Sequence, residues 1–208
     1  SLYNTFCLKP DETADLSGIS AILDFAFSGS ETLNVTGSDG INTYNREAFN
    51  NSAIGRLPFV NGVKCINGMV FDVDTECDNV VFPDEDEDLH TIANHLPFEK
   101  IKQITVHRGS TVQLLYRCNT LPKAINICGN LGESVCQTKE EMASRLTIDS
   151  IAELCDREGV ENINIFDDSK TYKSIDSIVY SYDGKRLLKC PRGKTGQVTI
   201  PKGTEIIA

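Results

Sequence analysis

The side chains best able to do chemistry in this chain are eight cysteines, at positions 7, 65, 77, 118, 128, 136, 155 and 190, and three histidines, His90, His95 and His107. Thiolates and imidazoles build zinc sites or redox pairs when they recur at short, fixed spacings. No two cysteines here have the Cys-x-x-Cys spacing, and the nearest two, Cys128 and Cys136, stand 8 residues apart. The pattern therefore supports neither a zinc site nor a redox motif. Most of the cysteines read as small buried hydrophobes at repeat positions, with one or two disulfides left open. The acidic run Asp84-Glu85-Asp86-Glu87-Asp88 offers hard oxygen ligands to a cation. It lacks the alternating ligand positions and turn glycine of a calcium loop, so it reads as a solvated loop.

Catalytic patterns fare no better. Gly193-Lys194-Thr195 resembles the end of a phosphate-binding loop, but that loop needs a glycine where Leu188 stands, and a helix after it. No Gly-x-Ser-x-Gly elbow and no His-Glu-x-x-His motif occurs. Without a nucleophile, base and oxyanion donor at recognisable spacing, an enzyme is not expected, and no cofactor or metal is implied.

Composition narrows the partners. The chain has 208 residues, 40% of them hydrophobic, enough to bury a core in one domain or two small ones. Thirty acidic residues against twenty basic ones leave a net charge of −10, which repels phosphate backbones and anionic headgroups. Nucleic acid and membrane surfaces are thus poor partners. No run approaches the ~20 apolar residues of a membrane span. Ser1-Leu2-Tyr3-Asn4-Thr5 shows neither the basic nor the apolar region of a signal peptide, one having been cleaved or lying outside this sequence.

The elements that must position any site show themselves by repetition. Ile22-x-x-x-Ala26-Phe27, Tyr44-x-x-x-Ala48-Phe49 and Ile66-x-x-x-Val70-Phe71 share one pattern, each Phe 22 residues after the last. Out of phase with it run short period-2 pairs: Leu33-x-Val35, Leu57-x-Phe59, Val80-x-Phe82, Ile104-x-Val106 and Ile125-x-Ile127, separated by 24, 23, 24 and 21 residues. Units this short bury no core alone, so neighbours must stack as a solenoid. Ala26 and Ala48 would let adjacent coils approach, and Phe27, Phe49 and Phe71 would stack as a spine.

Downstream the pattern loosens. Leu96-Pro97-Phe98 stands in for an Ala-Phe element, and Ile101 to Cys118 reads as two strands around Arg108-Gly109-Ser110. Thr138 opens a capping-box-like start with Glu141, and Thr147 caps a helix over 148–158 that Gly159 stops. Val160 to Phe166 follows as a strand. Asp183-Gly184, between Ile178-Val179-Tyr180 and Leu187-Leu188, predicts a hairpin, and a further strand ends in Ile200-Pro201.

Ile163-Asn164-Ile165-Phe166, the stretch from Ser174 to Pro191, Gly193-Lys194-Thr195-Gly196 and Val198-Thr199-Ile200-Pro201 together resemble the BspA-type leucine-rich repeat proteins of bacterial and protist cell surfaces. Repeats of that family run from a strand ending in Ile-Pro, through an Ile, into Ala-Phe. The units from Ile22 to Val35 and from Tyr44 to Phe59 are similar, though the Ala-Phe after Phe82 is missing. The resemblance implies adhesion to host or microbial macromolecules, protein or glycan, from an extracellular or cell-surface location. It identifies no particular partner.

The expected fold is mostly β, an α/β repeat: a leucine-rich-repeat-like right-handed solenoid with short strands every 21–24 residues, one hairpin insertion and one or two short helices. Residues 1–118 form an N-terminal repeat block, 119–160 an irregular, partly helical segment, and 161–208 a C-terminal block that continues in a longer parent protein. Side chains alternating with the core positions would line the strand face, namely Asn34, Thr36, Arg56, Pro58, Thr105, Asn126, Asn164 and Thr199. The expected function is a non-enzymatic, monomeric binding module, with a structural spacer carrying another domain as the alternative. Asn34-Val35-Thr36 and Asn50-Asn51-Ser52 also fit the N-glycosylation pattern, which matters only on a eukaryotic secretory route.

Overall fold

A computed structural model describes residues 7–83, 89–107, 109–128, 147–166 and 171–208. The acidic run 84–88, the Thr138 helix start and Cys136 lie outside the described residues. The chain is mostly strands with few helices. In the first half the strands are β1 (Thr13–Asp15), β2 (Ala21–Ile22), β3 (Asn34–Thr36), β4 (Thr43–Tyr44), β5 (Val63–Ile66), β6 (Met69–Val73) and β7 (Asn79–Val81). They continue as β8 (Thr91–Ile92), β9 (Gln103–Val106), β10 (Ala124–Ile127) and β11 (Asn162–Ile165). The last are β12 (Tyr172–Ile175), β13 (Ile178–Ser181), β14 (Arg186–Lys189) and β15 (Ile206–Ile207). Helix α1 spans Gly109–Leu115 and α2 Ile148–Cys155.

The period-2 apolar pairs become the main sheet. β7, β9, β10 and β11 pair in parallel, with Val80 opposite Ile104, Ile104 opposite Ile125, and Ile125 opposite Ile163. All four side chains are fully buried. Parallel neighbours need a crossover, and α1 and α2 lie in the connections from β9 to β10 and from β10 to β11. At the N-terminal end β1 pairs in parallel with β3, and β2 with β4.

The phenylalanines form a continuous stack. Ring centroids of Phe27 and Phe49 lie 5.0 Å apart, and those of Phe49 and Phe71 also 5.0 Å. Ala26 and Ala48 beside them are fully buried. Tyr44 presents its ring edge to Phe49 at 6.2 Å, and its hydroxyl donates to the Val70 carbonyl.

Four expected elements differ, each for a local reason. Ile66 does not begin a third coil: it ends β5, which turns through Asn67-Gly68 into antiparallel β6. Both turn residues have positive φ, 44° and 72°, the backbone of a tight hairpin that Asn-Gly favours. Phe71 joins the ring stack all the same, because β6 returns in parallel beside β8. Leu57-Pro58-Phe59 is not a strand. A 3-10 turn over Ile54–Arg56 precedes it, Pro58 has no N–H to give a ladder, and the 39% exposed Phe59 ring sits under the Lys64 ammonium at 4.6 Å.

Beyond Val106 the chain enters α1 rather than a second strand. Val112, Leu115 and Cys118 are buried at intervals of three, a helical period, not a strand's. Finally, 198–200 form no strand; the last strand is β15, parallel to β14 with Arg186 opposite Ile206.

The Asp183-Gly184 hairpin joins antiparallel β13 and β14, with Gly184 at φ 77°. The Asp183 carboxylate accepts from the Ser181 hydroxyl at 2.6 Å and from the Lys185 amide at 3.0 Å. Thr147 caps α2, its hydroxyl accepting from the Ser150 amide at 3.1 Å. The helix stops at Cys155, short of Glu158. One apolar cluster runs from Ala14 to Val179, and a small second one, Ile178, Tyr180 and Leu187, lies apart from it. Among the described residues no helix is long and apolar enough to cross a membrane.

The middle ring of the stack has a neighbour on each side. Phe49→Ala should destabilise the chain by about 3–5 kcal/mol. Urea denaturation followed by circular dichroism measures this, and a loss below about 1 kcal/mol would mean the stack is not a load on the fold.

Candidate functional site

The strand face expected to bind is occupied in its middle by its own side chains. The Ser177 hydroxyl donates to Asn164 Oδ1 at 2.8 Å, and Asn164 Nδ2 donates to Asn126 Oδ1 at 2.9 Å. Asn126 Nδ2 donates to Thr105 Oγ1 at 3.2 Å, which donates to Asn79 Oδ1 at 2.9 Å. Every donor points the same way, so each bond polarises the next. In-register parallel pairing creates this chain: Thr105 faces Asn126 and Asn126 faces Asn164 across neighbouring strands. Thr105 is 7% exposed and Asn126 6%, so both are buried rather than surface-lining, and Asn164 is half-buried.

The other expected strand-face residues lie apart. Asn34 and Thr36 are exposed on β3, and Asn34 Nδ2 donates to the Pro10 carbonyl at 3.3 Å. Arg56 forms an ion pair with Glu31 and belongs to a 3-10 turn, and Pro58 is exposed beyond it. Thr199 is exposed and outside any strand.

Two buried thiols stand out chemically. Burial pushes Cys118 up to about 12, against the pull of Arg157, and Cys155 up to about 12, against that of Lys189. Cys65, Cys77 and Cys128 are half-buried, while Cys7 and Cys190 are exposed. The expectation of mostly buried thiols thus holds fully for Cys118 and Cys155 alone among the described residues, and those described are all free. Among the described residues, no group of three or more His, Cys, Asp or Glu is placed to hold a metal.

An open polar cleft lies beside the first two Ala-Phe elements. Asp24, Asn45, Arg46, Glu47 and His95 line a cleft of about 270 Å³. A second cavity of about 130 Å³ shares Arg46 and Glu47 and reaches Phe49, Gly55, Phe71 and Asp72. Arg46 and Glu47 open the 3-10 turn Arg46–Phe49, whose other end buries Ala48 and Phe49. An isolated parallel bridge between Asn45 and Asn94 brings His95 alongside. Arg46 Nε donates to Asp72 Oδ1 at 2.7 Å, and Asn119 Nδ2 lies 3.2 Å from His95 Nδ1. Among the described residues, the side chains of Asp24, Asn45 and Glu47 have no hydrogen-bond or ion-pair partner.

The residue pattern held a signal for this cleft. Asp24 and Arg46 occupy the same place in the first two Ala-Phe units, two residues before Ala26 and Ala48. His95 carries no such signal, because its position depends on the bridge between Asn94 and Asn45.

No family model matches the chain, and no curated protein matches it. Among solved structures, the crystal structure of the pneumococcal vaccine antigen PcpA aligns at 17% identity and a TM-score of 0.29. The alignment covers 94% of this chain and 40% of that one.

Two outcomes test these environments. Asn126→Ala should cost about 1–3 kcal/mol, leaving Thr105 without its donor and the Asn164 amide unpaired. A double-mutant cycle with Asn164→Ala should give a coupling of roughly 0.5–3 kcal/mol, and additivity would mean no shared network. With a pKa of about 12, about one thiol in ten thousand is ionised at pH 8. Iodoacetamide at pH 8 should therefore label Cys7 and Cys190 in the native chain, and Cys118 and Cys155 only after denaturant, as read by peptide mass spectrometry.

Proposed function

We propose that the chain is part of a leucine-rich-repeat-like right-handed solenoid of the BspA type, serving as a non-enzymatic binding module at the cell surface or outside the cell. What supports the repeat reading is the in-register parallel stacking of β7, β9 and β10 in the main sheet, whose apolar pairs recur every 21–24 residues. The single observation that carries the binding reading is the open flank cleft. There Asp24, Asn45 and Glu47 keep hydrogen-bonding groups that nothing in the fold uses. The partner is a protein or glycan of host or neighbouring cells, met by a monomer.

A specific observation favours the second reading, a structural spacer. The chain of bonds from Ser177 to Asn79 satisfies the middle of the strand face internally, as a surface with no ligand would be built. Surface plasmon resonance of the full chain against immobilised extracellular-matrix proteins and glycans separates the two. Saturable binding that Arg46→Ala weakens at least about tenfold supports the module, since an exposed polar contact that anchors a ligand carries about that much discrimination. No saturable binding by folded protein across the panel would replace it with the spacer.

A further inference from the structure

We infer that the cleft between Asp24 and His95 takes a neutral saccharide of one or two rings; this rests on the binding-module reading and names its ligand class. The first line of argument is hydrogen-bond capacity. The carboxylates of Asp24 and Glu47 only accept, the Arg46 guanidinium only donates, and the Asn45 amide does both. All of them line one opening of about 270 Å³. Adjacent hydroxyls of a pyranose each donate and accept at one atom, so they satisfy neighbouring acceptors and donors together.

Charge narrows the ligand further. An anion such as phosphate meets Asp24 and Glu47 in the cleft and Asp72 behind Arg46. A cation meets Arg46. A neutral polar molecule avoids both costs. The opening lies just under the roughly 300–1,000 Å³ of sites for drug-sized ligands, which suits one or two sugar rings.

The second, independent line is backbone conformation. Phe25, the residue after Asp24, has φ 60°, a left-handed backbone that a bulky side chain adopts only under constraint. The residue is 38% exposed. The Phe25 amide donates to the Glu47 carbonyl at 3.1 Å, tying residue 25 to the cleft wall. His95, on the other side, is also left-handed at φ 61°. Left-handed backbone at two residues beside one polar cleft is the kind of local strain that clusters at ligand sites.

The test is a titration of the isotope-labelled full chain with methyl glycosides of glucose, galactose, mannose and N-acetylglucosamine. N-acetylneuraminic acid and glucosamine serve as anionic and cationic controls. At least one neutral glycoside should shift the amide resonances of Asp24, Asn45, Arg46, Glu47 and His95 with millimolar affinity, the controls binding at least about tenfold more weakly. Glu47→Gln keeps shape and removes the charged acceptor; it should weaken binding at least about fivefold with Tm unchanged. Asn45→Ala removes the one cleft side chain that both donates and accepts; binding should fall at least about fivefold with Tm unchanged. No shift at the cleft, shifts at Thr105, Asn126 and Asn164 instead, or parental affinity in both variants would overturn the inference. If the chain then still captures a matrix protein, the binding module stands without the saccharide site; if it captures nothing, both fall.

Discussion

Val80, Ile104, Ile125 and Ile163 stand opposite one another across three parallel pairings, all of them fully buried. Backbone hydrogen bonds between parallel strands set one register, and a slip of one residue would turn every buried side chain outward. Because that register is shared, residues at equal places in successive strands must touch. On the core side the result is an apolar row. On the other side it is the polar row of Thr105, Asn126 and Asn164, whose bonds run in one direction. The same logic governs the first two Ala-Phe elements, where equal placement brings Phe27 onto Phe49.

A buried amide that lacks partners costs about 1–3 kcal/mol, so asparagines stacked inside a sheet are tolerable only as a closed set. That constraint decides which surfaces can serve function. Where strand-face side chains answer one another, a ligand must break existing bonds to make its own. On the Ala-Phe flank the polar side chains project from turns rather than from a ladder, and three of them have no partner among the described residues.

How far the residues alone reveal this follows from how local each cause is. The 22-residue spacing of Phe27 and Phe49 is legible because a stacked ring needs the same place in both elements; Phe71 meets Phe49 from the β5–β6 hairpin instead. The Asp183-Gly184 turn and the Thr147 cap were legible because one or two residues determine them. Ile66 misled because its place matched the apolar pattern while Asn67-Gly68 beside it dictated a hairpin. Leu57-Pro58-Phe59 has period-2 spacing, but Pro58, without an N–H, breaks the ladder that such spacing implies. In 109–118 the helical interval of Val112, Leu115 and Cys118 was present but overshadowed by the strand rhythm around it. The cleft was half legible: Asp24 and Arg46 share a repeat position, but a charged residue between core positions looks like ordinary surface until His95 is brought beside it.

Core and cleft are in the end the same element seen from two sides. The 3-10 turn Arg46–Phe49 starts with the two charged residues of the cleft and ends with the ring that holds the stack together. Phe49 and Phe71 also line the smaller cavity behind Arg46, so the wall of that cavity is the spine itself. A ligand site gains precision when its side chains are carried by elements whose own rotamers are locked by packing. Here a turn of four residues, too short to be rigid alone, borrows its rigidity from a ring fixed on both sides at 5.0 Å. The Asp72 carboxylate adds a second anchor at 2.7 Å from Arg46 Nε, and Asp72 follows directly on Phe71. The turn that packs into the core thereby also positions the polar groups of the cleft, and the two need no separate scaffold.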